Sequence, residues 1–273
     1  MPSLAPPRPP ARPDLAPAQR RRAATATRTA PPGPLAAPDA VELRPASVVA
    51  ELGRTVVLAP HADDESLGCG GLLAHLADAG LGPRVVVVTD GTRSHPGSAA
   101  YPAPRLRALR EDEARQACAV LGADVAFLRH PDCGLPAPGS QTFCDAAVAL
   151  ATHLADADTV VVPWRRDPHC DHEGTWRLAR AAVAERDRPT RWLEYPVWAW
   201  TRPDGPEAPR ADEAAAWRLD VSGALGRKRR AVAAHRSQTT ALIADAPDGF
   251  RLAPEMLALF DRPYELFLDP RDV

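Results

Sequence analysis

Val56-Val57-Leu58, then Pro60-His61-Ala62-Asp63-Asp64-Glu65, then an apolar-periodic stretch from Leu67 to Ala79, is the segment on which the fold turns. The first three residues read as a buried strand. Leu72, Leu73 and Leu76 fall at helical spacing, and Gly80, Gly82 and Pro83 end the helix. A strand, a polar turn and a helix in so short a span open a β-α-β unit. The chain downstream keeps the pattern. Val85 to Val88 is continuously β-branched, as a strand covered on both faces should be. Arg105 to Leu121 reads as a helix closed by Gly122, Val125 to Leu128 as a strand, and Ala146 to Leu154 as part of a helix. Val160 to Val162 reads as a strand, His172 to Glu185 as a helix, and Trp192 to Trp200 as an extended aromatic segment. Alternation of this kind predicts an α/β, Rossmann-like three-layer fold with a mainly parallel sheet. The last third is less regular. Trp217 to Val221 and Tyr264 to Leu268 read as strands, Arg227 to Thr240 as a basic helix, and Arg202 to Arg210 as a loop, giving a smaller C-terminal region that contains β structure.

Composition bounds the function. The 273 residues are 45% hydrophobic and 25% charged, which are globular values, but aromatics are only 5%, so the core must rest on Ala, Val and Leu. The net charge of -2 hides an asymmetry. Residues 1–40 hold eleven of the 31 prolines and six arginines against two acids, a net +4 that leaves -6 for residues 41–273. A disordered Pro/Arg-rich tail over 1–40 and a single domain over 41–273 are expected. An acidic body argues against nucleic-acid binding. Arg20 to Arg22 precede a stretch too polar for a secretory signal, and no run is apolar and long enough to span a membrane. Five cysteines without a C-x-x-C pair point to a reducing compartment, with the cytoplasm as the expected location.

Open α/β sheets bind ligands beyond the carboxyl ends of their strands. The first strand ends in His61, Asp63, Asp64 and Glu65. The strand at Val160 to Val162 ends in Pro163 and leads to Asp167-Pro168-His169-Cys170-Asp171-His172. If these strands are neighbours at a switch point, the two clusters meet. Imidazole and carboxylate together suit Zn²⁺, and Fe²⁺ accepts the same donors.

Pro60-His61-Ala62-Asp63-Asp64-Glu65 with Gly68-Cys69-Gly70-Gly71, and His169-Cys170-Asp171-His172, resemble the two motifs of the PIG-L/LmbE-like zinc-dependent N-acetylglucosaminyl deacetylases. Thr89-Asp90-Gly91 and the stretch from Lys228 to Gln238 also fit, so the likeness runs from about Thr55 to the C-terminus. Ala62 and Cys170 stand where the family often has proline. The resemblance implies His61, Asp64 and His172 as metal ligands and Asp63 as general base. It implies His169 as the group that stabilises the oxyanion and helps protonate the leaving amine. Asp171 would orient a ligand histidine from behind. Zinc so held lowers the pKa of bound water to about 7, and the implied reaction releases acetate and a free amine from an amino sugar or glycoconjugate. Two alternatives remain: an amidase acting on a thiol conjugate, and a non-catalytic metal-binding protein.

Further residues invite two readings each. His95, in Ser94-His95-Pro96-Gly97-Ser98, could donate to a sugar hydroxyl or simply sit in a Pro-Gly turn. Arg110 could reach substrate, though an ion pair with Glu113 one turn away is the expected role. Asp132 could bind a substrate hydroxyl or sit in an exposed turn, and His235 could approach the site from its helix or be a structural helix histidine. Gly68, Gly70 and Gly71 fit neither nucleotide-binding fingerprint, and close packing of the helix against the sheet accounts for them. The run Arg227 to Arg230 reads as a solvated face. Of Trp192, Trp198 and Trp200, which could stack on a sugar, packing accounts for at least two.

Overall fold

The computed structural model describes residues 32–184, 186 and 188–271. Eight strands form one sheet: β1 (Glu42–Arg44), β2 (Thr55–Ala59), β3 (Arg84–Thr89), β4 (Asp124–His130), β5 (Thr159–Pro163), β6 (Arg191–Tyr195), β7 (Ala214–Asp220) and β8 (Tyr264–Pro270). Their order is β1-β7-β8-β6-β5-β2-β3-β4. Every neighbouring pair is parallel except those of β8, which runs antiparallel to β6 and β7. The helices are α1 (Asp64–Asp78), α2 (Ala103–Leu121), α3 (Gln141–Leu154), α4 (Cys170–Ala184), α5 (Leu225–Ala234), α6 (Arg236–Thr239) and α7 (Pro254–Phe260). The chain is therefore the expected three-layer α/β fold. The C-terminal strands are not a separate region: β7 and β8 extend the same sheet.

The two-residue period of the strands sorts the core into its two layers. Val57, Ala59, Val85, Val87 and Val161 face one side, against α1, α2 and α5. Their alternates Val56, Leu58, Val86, Val88, Val160 and Val162 face the other, against α3 and α4. Because both faces are covered, these strands read as unbroken apolar runs rather than alternating ones.

Helix α1 is buried along almost its whole length, and its glycines explain how it lies so close to the sheet. A Cβ at Gly68 would sit 2.3 Å from Tyr195 Cδ2, and one at Gly71 would sit 2.3 Å from Val221 Cγ1. On the far side, the Glu265 carboxylate accepts the backbone N–H groups of Gly71 and Leu72 at 2.6 and 2.8 Å. It also accepts from Lys228 Nζ at 2.7 Å. Lys228 is the chain's single lysine and is 2% exposed. The run Arg227 to Arg230 is thus not simply a solvated face: its lysine ties α5 to α1 and β8, and Arg227 and Arg229 pair with Asp78 and Asp261.

Other expectations also shift. The basic helix over 227–240 is broken at His235 (φ -76°, ψ 59°) into α5 and α6. Trp192 to Trp200 is strand only as far as Tyr195 and then turns into a 3-10 helix at Trp198–Thr201. Strand β1 and helix α7 carry no clear sequence signal. The expected tail over 1–40 falls mainly on residues 1–31, which lie outside the described residues. Residues 32–40 belong to the folded unit Pro32–Val273. Leu35 is 4% exposed within the main core, and Asp39 accepts from Arg218 Nη1 at 2.9 Å.

Candidate active site

Strand order places the site. From β2 the sheet grows through β3 and β4 on one side and through β5 and β6 on the other, so the chain reverses direction between β2 and β5. The crevice at such a switch point lies beyond the strands' carboxyl ends. The turn after β2 and the loop after β5 meet there. The His61 ring lies 4.7 Å from that of His169 and 5.6 Å from that of His172, centroid to centroid.

Asp64 is the pivot. Its Oδ2 accepts the His61 backbone N–H at 2.9 Å. The same oxygen is 3.3 Å from His61 Nδ1 and 3.3 Å from His172 Nε2. Ligand bonds of about 2.0–2.2 Å in a tetrahedron set neighbouring donor atoms about 3.3–3.6 Å apart, so Asp64 Oδ2 stands at ligand spacing from each of the two histidine nitrogens. The His172 ring is fully buried, and its Nε2 faces the Asp64 carboxylate. His172 Nδ1, at the back of the ring, is 2.7 Å from Asp167 Oδ2. His61 Nε2, likewise at the back of its ring, is 3.1 Å from Asp171 Oδ2 and 3.6 Å from Asp132 Oδ1.

The electrostatics ask for a cation. Burial works against charge at every one of these groups, yet the carboxylates Asp132, Asp171 and Asp64 raise His61 well above its usual range. Against the same burial, Asp64 and Asp167 hold His172 up at about 9. Burial would also raise Asp64, but His172 and His61 hold it well below the usual carboxylate range. Protons stand in for positive charge that a divalent ion would supply.

Asp63 adjoins this centre and lines the same cavity. Burial outweighs the nearby Arg110 and raises its carboxyl to about 6. Its backbone sits at φ 146°, strained for a residue with a Cβ. Glu65 holds it there: Glu65 Oε2 accepts the Asp63 N–H at 3.0 Å, and Glu65 Oε1 binds Ser66 Oγ at 2.7 Å and His235 Nε2 at 2.9 Å. Arg110 reaches Asp63 Oδ2 at 3.5 Å and donates to the carbonyls of Ala62 and Gly91 at 2.8 and 3.1 Å. The expected Arg110–Glu113 ion pair does not form. Glu113 instead accepts the N–H and hydroxyl of Ser237 at 2.7 and 2.6 Å.

A cavity of about 290 Å³ opens over these groups. His61, Asp63, Asp64, Arg110, Asp132 and His169 line its polar floor. Val197, Trp198, Phe250, Leu252 and Met256 form an apolar wall. Trp198 stacks on His169 at 6.2 Å and 19°, while Trp192 and Trp200 are packed into the protein. Four residues named from sequence do not line the cavity: His172 and Asp171, both fully buried, and His95 and His235. His95 is buried beneath the turn at Gly249, with Nδ1 on Ser94 Oγ at 3.1 Å, and Ser94 lines the wall in its place. His235 is 1% exposed and contacts Glu65 at 2.9 Å and Ser66 Oγ at 3.1 Å rather than the cavity.

Two residues escaped sequence reasoning. Asp167 lies in the quoted cluster, but nothing local distinguishes it from Asp171. It accepts the backbone N–H groups of Val197, Trp198 and Ala199 at 3.3, 2.9 and 2.7 Å while lying 2.7 Å from His172 Nδ1, so it fixes the aromatic wall and the His172 ring together. Gln238 lines the cavity with its Oε1 buried and unpartnered. Its signal was the Ser237-Gln238 ending of the basic helix.

The PIG-L family, described as GlcNAc-PI de-N-acetylase, matches residues 56–183. The 2'-N-acetylparomamine deacetylase of Streptomyces fradiae is 29% identical over 208 residues, covering 68% of this chain and 74% of that protein. A 1D-myo-inositol 2-acetamido-2-deoxy-alpha-D-glucopyranoside deacetylase of Mycobacterium sp. (strain KMS) is 34% identical over 171 residues. That match covers 54% of each chain, so this chain spans about half the length of the mycobacterial relative. The structure of the N,N'-diacetylchitobiose deacetylase of Pyrococcus horikoshii shares the fold, with a TM-score of 0.58 at 22% identity over 71% of this chain and 73% of that one.

Proposed function

We propose that this chain, whose residues 56–183 match the PIG-L family, is a metal-dependent hydrolase that removes the acetyl group from the nitrogen of an amino sugar or glycoconjugate. One observation carries the reading: Asp64 Oδ2 lies 3.3 Å from both His61 Nδ1 and His172 Nε2, with Asp63 alongside in the same cavity. Curated relatives named as deacetylases of acetylated amino sugars support it.

His61, Asp64 and His172 would hold the ion. Zn²⁺ is the proposed metal, because two imidazoles and one carboxylate with an open position suit it, and Fe²⁺ is the alternative. Bound there, the metal supplies Lewis acidity to the amide carbonyl and to water. The protein's own groups supply the rest. Asp63, with its carboxyl raised to about 6, takes the proton from the attacking water, a base matched to near-neutral pH. Arg110 and the Glu65 contact keep that carboxylate aimed into the cavity. His169, half-buried beside the His61 ring, steadies the charge on the carbonyl oxygen and delivers a proton to the departing nitrogen. Acetate and the free amine leave. Asp132, Arg110 and Gln238 offer polar contacts for sugar hydroxyls. Trp198 offers the flat apolar face on which a pyranose ring packs.

No helix among the described residues is long and apolar enough to cross a membrane. The five cysteines are free, which supports a cytoplasmic setting for the reaction.

The test combines metal analysis with acetate release from N-acetylated amino sugars. Asp63→Ala is expected to keep stoichiometric metal and lose turnover by about 10²–10⁴-fold. His172→Ala is expected to lose the metal. Full turnover in the first variant, or full metal content in the second, overturns the assignment.

A further inference from the structure

Away from the His61 centre, a second set of metal-ligating groups converges. Cys133 Sγ, Cys170 Sγ and an Asp171 carboxylate oxygen all lie within 4.8 Å of one another. Cys133 follows β4, and Cys170 opens α4. Cys133 sits in the left-handed region at φ 54°, and its N–H donates to Asp171 Oδ2 at 2.8 Å. The carboxylate therefore fixes the turn that presents the thiol. The other oxygen, Asp171 Oδ1, lies 4.0 Å from Cys170 Sγ. A cleft of about 230 Å³ opens onto all three groups. Cys133 also lines the larger cavity, so the cluster stands in the wall between the two. Both thiols are free and exposed.

We propose that Cys133, Cys170 and Asp171 form a second cation site that takes a thiophilic divalent ion such as Zn²⁺ or Cd²⁺, with water completing the coordination. Two sulfurs and one carboxylate select such ions over Mg²⁺ or Ca²⁺. Sulfur and oxygen bonds of about 2.3 and 2.0–2.2 Å require the three atoms to draw in by roughly 1 Å, which the two exposed cysteine side chains supply by rotation toward the buried Asp171. The outer cleft gives the ion its entry path, and Asp171 ties the two centres together, since its Oδ2 also contacts His61 Nε2 at 3.1 Å. The competing fate of such a pair is a disulfide, which needs a thiolate to form. Cys133 Sγ lies 3.5 Å from the Asp132 carboxylate and beside that of Asp171. The same carboxylates attract a divalent ion, and coordination deprotonates a thiol outright.

The experiment uses the full chain, reduced, stripped of metal by a chelator and titrated with Cd²⁺ while thiolate-to-cadmium charge transfer is followed in the near ultraviolet. His172→Ala, which cripples the first site only, is expected to keep the band. Cys133→Ser/Cys170→Ser is expected to lose it while still binding Cd²⁺ at the first site. Cys170→Ser alone changes one exposed atom and is expected to weaken the band's apparent affinity at least tenfold. Three results overturn the proposal: no band in the wild type, an undiminished band in the double serine variant, or loss of two free thiols in the wild type before any metal is added.

Discussion

Glu65→Gln separates a structural carboxylate from one that shapes the reaction. The Glu65 side chain is fully buried and makes three contacts: the Asp63 N–H at 3.0 Å, Ser66 Oγ at 2.7 Å and His235 Nε2 at 2.9 Å. Glutamine keeps the shape but has one oxygen and one NH₂ group. Whichever way the amide turns, its NH₂ faces either the Asp63 N–H or the cluster of Ser66 and His235. Removing one partner of a buried charged pair costs about 3–5 kcal/mol, so a loss of at least about 3 kcal/mol is expected in urea unfolding. The second consequence is local. Asp63 holds a backbone conformation at φ 146° whose strain is of order 1–3 kcal/mol, and the Glu65 acceptor opposes its relaxation. Released, the carboxylate moves within the cavity, and a displacement of about 1 Å costs about 100-fold in rate. The expectation is therefore a kcat lower by about 100-fold, an unchanged KM, and full metal content, because His61, Asp64 and His172 are untouched. Acetate release, metal analysis and urea melts on one preparation measure all three. Wild-type kcat in a variant that has lost its 3 kcal/mol shows that Glu65 merely holds the fold together. Wild-type stability refutes the buried-pair argument itself.

Three further outcomes follow from packing and charge. Gly68→Ala places a Cβ 2.3 Å from the Tyr195 ring and should cost about 1–3 kcal/mol through overpacking. Because α1 begins at Asp64, calorimetry should show a lower Tm together with weaker metal retention. Lys228→Met leaves the Glu265 carboxylate buried without its cation and should cost about 3–5 kcal/mol in denaturant unfolding; a loss below 1 kcal/mol would mean that the N–H groups of Gly71 and Leu72 suffice to hold that charge. Deleting residues 1–31 should leave turnover and Tm unchanged, whereas deletion through residue 40 also removes buried Leu35 and should cost roughly 1.5–3 kcal/mol.

The parallel half of the fold was legible because its strands are covered on both faces. Val85 to Val88 and Val160 to Val162 must be apolar at every position, and such runs stand out between helices. Edge and late elements lack that constraint. Strand β1 is three residues long, with exposed Glu42 and Leu43, and is held by its pairing with β7, a partner more than 170 residues away. The break at His235 is equally invisible locally. Its cause is tertiary: the imidazole is drawn to Glu65, and the chain behind it turns so that Ser237 can meet Glu113.

The same division governs the site. Groups that must face a cation are crowded by type and spacing at two strand ends, and strand order then brings them within ligand distance. Which carboxylate backs which histidine is another matter. Asp167, in the loop after β5, and Asp171, in the first turn of α4, are four positions apart, yet the first supports His172 and the second His61. Only the direction in which α4 leaves the sheet decides between them. The residues of the apolar wall, Phe250, Leu252 and Met256, come from a stretch with no chemistry of its own. They matter because the Phe250 N–H bonds the Ser94 carbonyl at 2.6 Å and the Leu252 N–H bonds that of Gln238 at 2.8 Å. Those bonds pin a late loop across the mouth of the cavity. Ligand groups are selected by bonds whose lengths hardly vary, whereas a wall is selected only by shape. The chemistry therefore appears in the sequence as a motif, and the specificity appears only when the loop from 241 to 253 is seen folded over it.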